Sequence, residues 1–329
     1  MITKVIDNLY KIDVPLPKNP LKSTNSYILV SQDRNLVIDT GMNRKECFTA
    51  LKAAFEELAL DLSMTDFFIT HLHADHGGLV SEFITPTSKV YCSEKDSYII
   101  NLGRDEGYWG RTKNFLRQNG FPEEILAEAI NNHPGYKYCA RVPLDFVILK
   151  EDDALDIGDY HFKVISTPGH TEGHLCLYEP YKKLFFSGDH LLNDITPNIS
   201  LFAEKLNPLQ QYLKSLDKIS QLDISLVLPG HRRIFTDYQE RIKELKLHHK
   251  IRTQEVLDIL GRQALNGYQV SSRMTWDLTY KTFEEFPVQQ KWFATGEGLA
   301  HIKYLIDQGL VERTEVDGMY LYKCKCVSV

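Results

Sequence analysis

Apolar residues come in short blocks through the first third of the chain. NSYILVS (25–31) and RNLVIDTG (34–41) are near-continuous apolar runs with a turn at Gln32–Asp33 between them; DFFIT (66–70) and KVYCS (89–93) follow. Blocks of this length, bounded by polar turns, read as strands. The run LVID, closed by Thr40-Gly41, marks the end of a buried one. Residues 44–60, RKECFTALKAAFEELAL, place Phe48, Leu51, Phe55 and Leu58 three and four apart, which predicts an amphipathic helix. A short helix is expected over 79–83. Strands alternating with helices predict a layered α/β domain. The rhythm returns with FVILK (146–150), HFKVIST (161–167), GHLCLYEP (173–180) and KLFFSGD (183–189). A helix over 208–222 and the strand SLVLPGH (225–231) complete it, while EDDALDIGDY (151–160) reads as an acidic edge turn.

Two stretches break this rhythm. Residues 94–140 read as helices joined by Gly and Pro turns, an aromatic-rich insertion between strands; FPEEILAEAI has a proline and two glutamates at its start, as a helix N-terminus favours. From 238 onward a long helical stretch, a second one over 288–309 and a hairpin turning at Asp317-Gly318 predict a winged-helix-like fold. The expected organisation is one domain over 1–237, with its helical insertion at about 94–140, and a winged-helix-like domain over 238–329. No Gly-rich fingerprint follows the first strands, so nucleotide binding is not signalled.

The 329 residues are 43% apolar and 25% charged, globular proportions, with a net charge of -6. Residues 241–329 hold 13 Lys/Arg and 11 Asp/Glu, net +2, leaving -8 on the other 240. The candidate reading helix EGLAHIKYLIDQG sets one lysine against Glu297 and Asp307. Phosphate backbones call for a concentrated basic surface, so this domain is expected to be structural or to support a homodimer rather than bind nucleic acid. No apolar run is long enough for a membrane span and the N-terminus shows no secretory pattern. Six scattered cysteines without a CxxC pair suit reduced thiols in the cytoplasm; Cys324 and Cys326 alternate as if on one face of a terminal strand.

Polar chemistry gathers at strand ends. THLHADHGG (70–78) carries His71, His73, Asp75 and His76 directly after DFFIT; His170 lies in STPGHTEGH, Asp189 in FFSGDH and His231 in LVLPGHRR. Open α/β layers place their sites where the loops beyond the strands converge. Imidazole and carboxylate are good ligands for a borderline divalent cation, and two neighbouring cations need an anion between them, which an aspartate provides. Residues i and i+2 of an extended strand end point the same way, so His71 and His73 can grip one ion together. Buried without a cation, this many imidazoles and carboxylates would be costly.

These motifs resemble the metallo-β-lactamase-fold hydrolases, whose hallmark is HxHxDH followed by later His, Asp and His. The likeness spans roughly residues 7–235 and implies an αββα sandwich. It implies His71, His73 and His170 as ligands of a first ion, Asp75, His76 and His231 of a second, and Asp189 as the bridge. Aspartate at 189, where the main dizinc β-lactamases carry cysteine, and histidine at 73, where flavodiiron oxygen reductases carry glutamate, argue against those activities. The pattern is closer to glyoxalase II, lactonases and RNase Z-like nucleases. The C-terminal part resembles a winged-helix-like domain found on some members, including a small endoribonuclease.

The resemblance implies two divalent ions, zinc by default with manganese or iron(II) also suited. A hydroxide bridging them would attack a small ester, thioester or lactone, with Asp75, His76 and Asp189 as the catalytic centre and Asp75 able to take the proton. His174 is expected to support a ligand. Tyr98, Arg104, Tyr108, Trp109 and Arg111 of the insertion, with His190, are the candidate substrate contacts. The alternatives are a metal-dependent endoribonuclease and a non-enzymatic winged-helix regulator with a metal site.

Overall fold

The computed structural model describes residues 1–204, 206–277 and 279–325. The chain divides into two compact units. The first comprises Met1–Gly103, Pro134–Pro197 and Ser215–Arg241; the second comprises Arg104–His133, Asn198–Lys214 and the residues from Ile242 onward.

The first unit holds two sheets. One has seven strands in sequence order: β1 (Ile2–Ile6), β2 (Leu9–Pro15), β3 (Ser23–Leu29), β4 (Asn35–Ile38), β5 (Thr65–Phe68), β6 (Val90–Cys92) and β7 (Phe146–Ile148). Pairing is antiparallel up to β4 and parallel from β4 to β7. The other runs β12-β11-β10-β9-β8, with β8 at Ala154–Ile157, β9 at Tyr160–Ser166, β10 at Leu175–Glu179, β11 at Leu184–Gly188 and β12 at Leu226–Pro229.

Side chains alternate between faces along each strand. Tyr27, Leu29, Leu36, Ile38 and Phe68 of the first sheet therefore share one core with Phe162, Val164, Leu177 and Phe186 of the second. Ile28, Val37 and Phe67, one position away, form a second core with Cys47, Leu51 and Phe55 of α1 (Lys45–Glu57). A sheet covered on both faces has no polar side to show, which is why its strands read as unbroken apolar runs rather than alternations. The architecture is the αββα sandwich. One segment differs from expectation. Residues 154–157, inside the stretch expected to be an acidic turn, form β8, with Leu155 and Ile157 buried between exposed Ala154 and Asp156. Asp156 on its solvent side and the acidic run just before it hide the alternation of an edge strand.

Short elements carry the loops of interest: α2 (Ala74–Gly77) begins directly after His73, and α3 (Glu94–Leu102) follows β6 with Ser93 as its N-cap. The expected helix over 79–83 is a single tight turn, Val80–Glu82.

In the second unit, α4 (Glu106–Gln118) and α5 (Glu123–Asn132) come from the insertion. The insertion is thus divided: Glu94–Leu102 belongs to the first unit, Arg104–His133 to the second. The short α6 (Pro134–Lys137) returns the chain to the first unit. Then α7 (Pro208–Ile219), which belongs to the second unit up to Lys214, and α8 (Tyr238–Leu260), which belongs to it from Ile242, are followed by α9 (Gly267–Ser271), α10 (Val288–Asp307) and the hairpin β13 (Val311–Val316) and β14 (Met319–Cys324). Trp292 of α10, 1% exposed, sits among Trp109, Phe121, His133 and Phe202 at ring separations of 5.3–6.4 Å. The hairpin turns at Asp317-Gly318, both at positive φ (50° and 76°), the geometry that two-residue hairpin loops favour. Cys326 lies outside the described residues, and Cys324 Sγ donates to the Leu257 carbonyl at 3.6 Å.

Candidate metal centre

Every donor singled out in the first unit lies at or just beyond a strand end. His71 and His73 follow β5, with Asp75 and His76 on the turn of α2; His170 precedes β10, Asp189 follows β11 and His231 follows β12. Three groups of donor atoms lie within 4.8 Å of one another: His71, His73 and His170; His71, His76 and Asp189; Asp75, His76 and His231. Asp189 stands at the middle, 3.3 Å from His231 Nε2, 3.5 Å from His76 Nε2 and 3.6 Å from His170 Nε2. Asp75 reaches His231 Nε2 at 3.4 Å.

Hydrogen bonds on the outer nitrogens aim the inner ones. His76 Nδ1 donates to Asp39 Oδ2 at 2.7 Å and His231 Nδ1 to the Ser23 carbonyl at 2.8 Å. Thr70 Oγ1 donates to Asp39 Oδ2 at 2.8 Å and so accepts from His71 Nδ1 at 2.9 Å. In each case Nε2 is left to face the centre, the tautomer a metal-ligating imidazole adopts. His71 Nε2 and His170 Nε2 approach His73 Nδ1 at 3.0 and 2.9 Å.

The electrostatics divide the cluster. Burial, and then the neighbouring imidazoles, push His71 well down; burial and His170 push His73 to about 3. Burial would also lower His231, but Asp189 and Asp75 outweigh it and raise it to about 10; Asp189 and Asp39 raise His76 in the same way. Against burial, His231 and His76 hold Asp189 well below the ordinary carboxylate range. The carboxylates demand positive charge, and neutral imidazoles beside them offer lone pairs. Divalent cations meet both demands. Asp189 Oδ1, moreover, is buried and makes no hydrogen bond. A Cβ built on Gly230 would lie 2.5 Å from that oxygen and 2.7 Å from His76 Cε1, so the space beside them is open only because residue 230 is glycine. This donor set and this cradle fit two candidate metal-binding clusters.

Two further side chains shape the centre. His174 is fully buried, its Nδ1 bonded to Thr167 Oγ1 at 2.8 Å while its Nε2 accepts from the Asp189 amide at 3.2 Å. Asp39, absent from the residues the sequence singles out, accepts from the Thr70 amide, the Thr70 hydroxyl and His76 together. The signal that could have found it is a carboxylate closing the buried strand LVID.

His190 is buried beside Asp189, and burial lowers its imidazole to about 3. Tyr98 on α3 is 62% exposed. Arg104, Tyr108, Trp109 and Arg111 belong to the second unit, where Trp109 is 6% exposed and packs on Tyr108 and His133.

A two-sheet sandwich whose loop edge gathers these donors is the scaffold of a metal-dependent hydrolase. The chain belongs to the metallo-beta-lactamase superfamily: residues 19–231 match its family model, and residues 254–325 match the metallo-beta-lactamase-like C-terminal domain. It is 28% identical to a probable metallo-hydrolase of Bacillus subtilis (strain 168), over 75% of this chain and 79% of that one. It is 24% identical to the atrochrysone carboxyl ACP thioesterase of Aspergillus fumigatus, over 73% of this chain and 64% of that protein. The crystal structure of a metallo-beta-lactamase family protein from Thermus thermophilus superposes with a TM-score of 0.83 at 27% identity, covering 98% of this chain and all of that one.

Proposed function

We propose that the chain is a dinuclear metal-dependent hydrolase of small ester, thioester or lactone substrates. In this reading His71, His73 and His170 hold one divalent cation, Asp75, His76 and His231 hold the second, and Asp189 lies between them. The observation that carries it is the convergence of these seven side chains into donor groups within 4.8 Å. Bound cations lower the pKa of water toward neutrality and polarise the oxygen that gains charge in the reaction. The chain's residues do the rest. Asp75, 9% exposed, orients the attacking water and receives its proton. Asp39 fixes the His76 ring, and His174 fixes the Asp189 backbone. Zinc suits the mixed histidine and aspartate set, as do manganese and iron(II).

An acyl substrate agrees with the net charge of -6 and with the named thioesterase among the relatives. The C-terminal domain, at net +2 over residues 241–329, lacks the basic concentration an RNA reader needs. Within the superfamily we place the chain with the glyoxalase II-like and small endoribonuclease-like branch, acting on acyl groups. Among the described residues no helix is long and apolar enough to cross a membrane. Cys47, Cys92, Cys139 and Cys176 are free thiols, which suits the cytoplasm.

The test is a panel of aryl esters, acyl thioesters and lactones set against single-stranded RNA, each with zinc-, manganese- and iron-loaded protein. Metal-dependent acyl turnover without RNA cleavage is expected; RNA cleavage with no acyl turnover would overturn the reading. Removal of the metals by chelation should also lower the melting temperature, and restoring them should reverse this. Each cation contributes about 4 kcal/mol when free metal exceeds its dissociation constant by about 1,000-fold.

A further inference from the structure

The HxHxDH residues and their later partners do not explain how two separate loops come to present three imidazoles to one point. His71 and His73 follow β5 in the seven-stranded sheet, and His170 precedes β10 in the five-stranded sheet. Asp96, in the first turn of α3, touches both loops. Its Oδ2 accepts the amide of Leu72, the residue between His71 and His73, at 2.9 Å. The same oxygen accepts the hydroxyl of Thr171, next to His170, at 2.5 Å. Its Oδ1 accepts the amide of Gly173, next to His174, at 2.9 Å. Asp96 is 1% exposed, and its own amide donates to the Ser93 hydroxyl at 3.2 Å, closing the helix cap. Position 173 has to be glycine for this approach: a Cβ there would lie 2.6 Å from Asp96 Oδ1 and would also strike the Ser93 hydroxyl. At the surface, Lys95 of the same helix pairs with Glu172.

We propose that Asp96 is the positioning residue that locks the His71–His73 loop to the His170 loop and so sets the affinity of the first cation site. The proposal rests on the metal reading above. A carboxylate suits the place because all three groups facing it are donors and both its oxygens accept. Asparagine has nearly the same shape but one acceptor fewer. Its amide nitrogen would face either the Leu72 or the Gly173 N–H, leaving a buried donor without a partner in one of the two loops. The second cluster does not depend on Asp96. Its histidines are held by Asp39 and by the Ser23 carbonyl.

The experiment is a zinc titration against a competing chelator on the full chain, with the cobalt(II) visible spectrum as a geometric readout. Asp96→Asn should weaken one equivalent by about 10–100-fold, the usual effect of removing a partner behind a metal ligand, and leave the other within about twofold. The weakened equivalent should be the one lost in His170→Ala, and its cobalt band should shift. Thr171→Val, which leaves the carboxylate in place, should weaken the same equivalent, and Thr171→Ser should restore it; this pair decides the matter if Asp96→Asn does not fold. Lys95→Ala, which removes only the surface pair, should leave both equivalents unchanged. Equal weakening of both equivalents, or wild-type affinity at both, overturns the role given to Asp96 while leaving the metal centre standing. A wild-type chain that takes up no cation overturns the metal reading itself.

Discussion

Asp189→Ala should yield a folded protein that has lost at least one metal equivalent and nearly all hydrolysis. Its carboxylate lies within 3.6 Å of imidazoles from both clusters, His170 on one side and His76 and His231 on the other. Its Oδ1 is buried and makes no hydrogen bond, so its function is directed inward rather than to the surrounding fold. Removing it takes away the anion between two sites meant for positive charge. The loss of turnover should exceed the roughly 10–100-fold expected when only an outer partner is removed. Elemental analysis and a turnover assay on the same preparation check this. Full metal occupancy with ordinary turnover would rule out Asp189 as the shared ligand.

Asp39→Ala should act through stability as well as metal uptake. Asp39 is 1% exposed and answers three donors: the Thr70 amide at 2.9 Å, the Thr70 hydroxyl and His76 Nδ1. Removing one partner of a buried charged network costs about 3–5 kcal/mol. The backbone adds to the loss, because Asp39 sits at φ 58°, a region that aspartate and asparagine tolerate better than alanine. Asp39→Asn should therefore lose less than half of what Asp39→Ala loses. Denaturant unfolding of the metal-free proteins measures the stability difference, and metal titration the weakening at His76. Wild-type stability of Asp39→Ala would show that neither the buried donors nor the backbone at residue 39 matters, and equal losses in the two variants would remove the advantage given to asparagine.

The strands and the donors were legible because each follows a short-range rule. DFFIT and KLFFSGD are apolar blocks that a doubly covered sheet buries, and HLHADH crowds imidazoles and a carboxylate that are costly to bury without compensating charge. The grouping of the insertion was not legible. Amphipathic periodicity in 106–118 shows that one face is buried but not against what; the structure groups Arg104–His133 with the C-terminal residues. Trp109 shows the same ambiguity, since a large aromatic ring can equally line a cavity or fill a core, and here it packs beside Trp292. Asp39 and Asp96 escaped notice for another reason. In sequence an isolated aspartate after a strand or in a first helical turn reads as a turn or capping residue; only the packed loops give it three donors to satisfy.

The donors are shared between two sheets, and His76 and His231 are 155 residues apart along the chain. During synthesis the THLHADH stretch leaves the ribosome long before the last histidine exists. At that stage it can offer a cation only a few local ligands in an unclosed half of the sandwich. In the proposed reading, a complete set of ligands therefore exists only once both sheets have met.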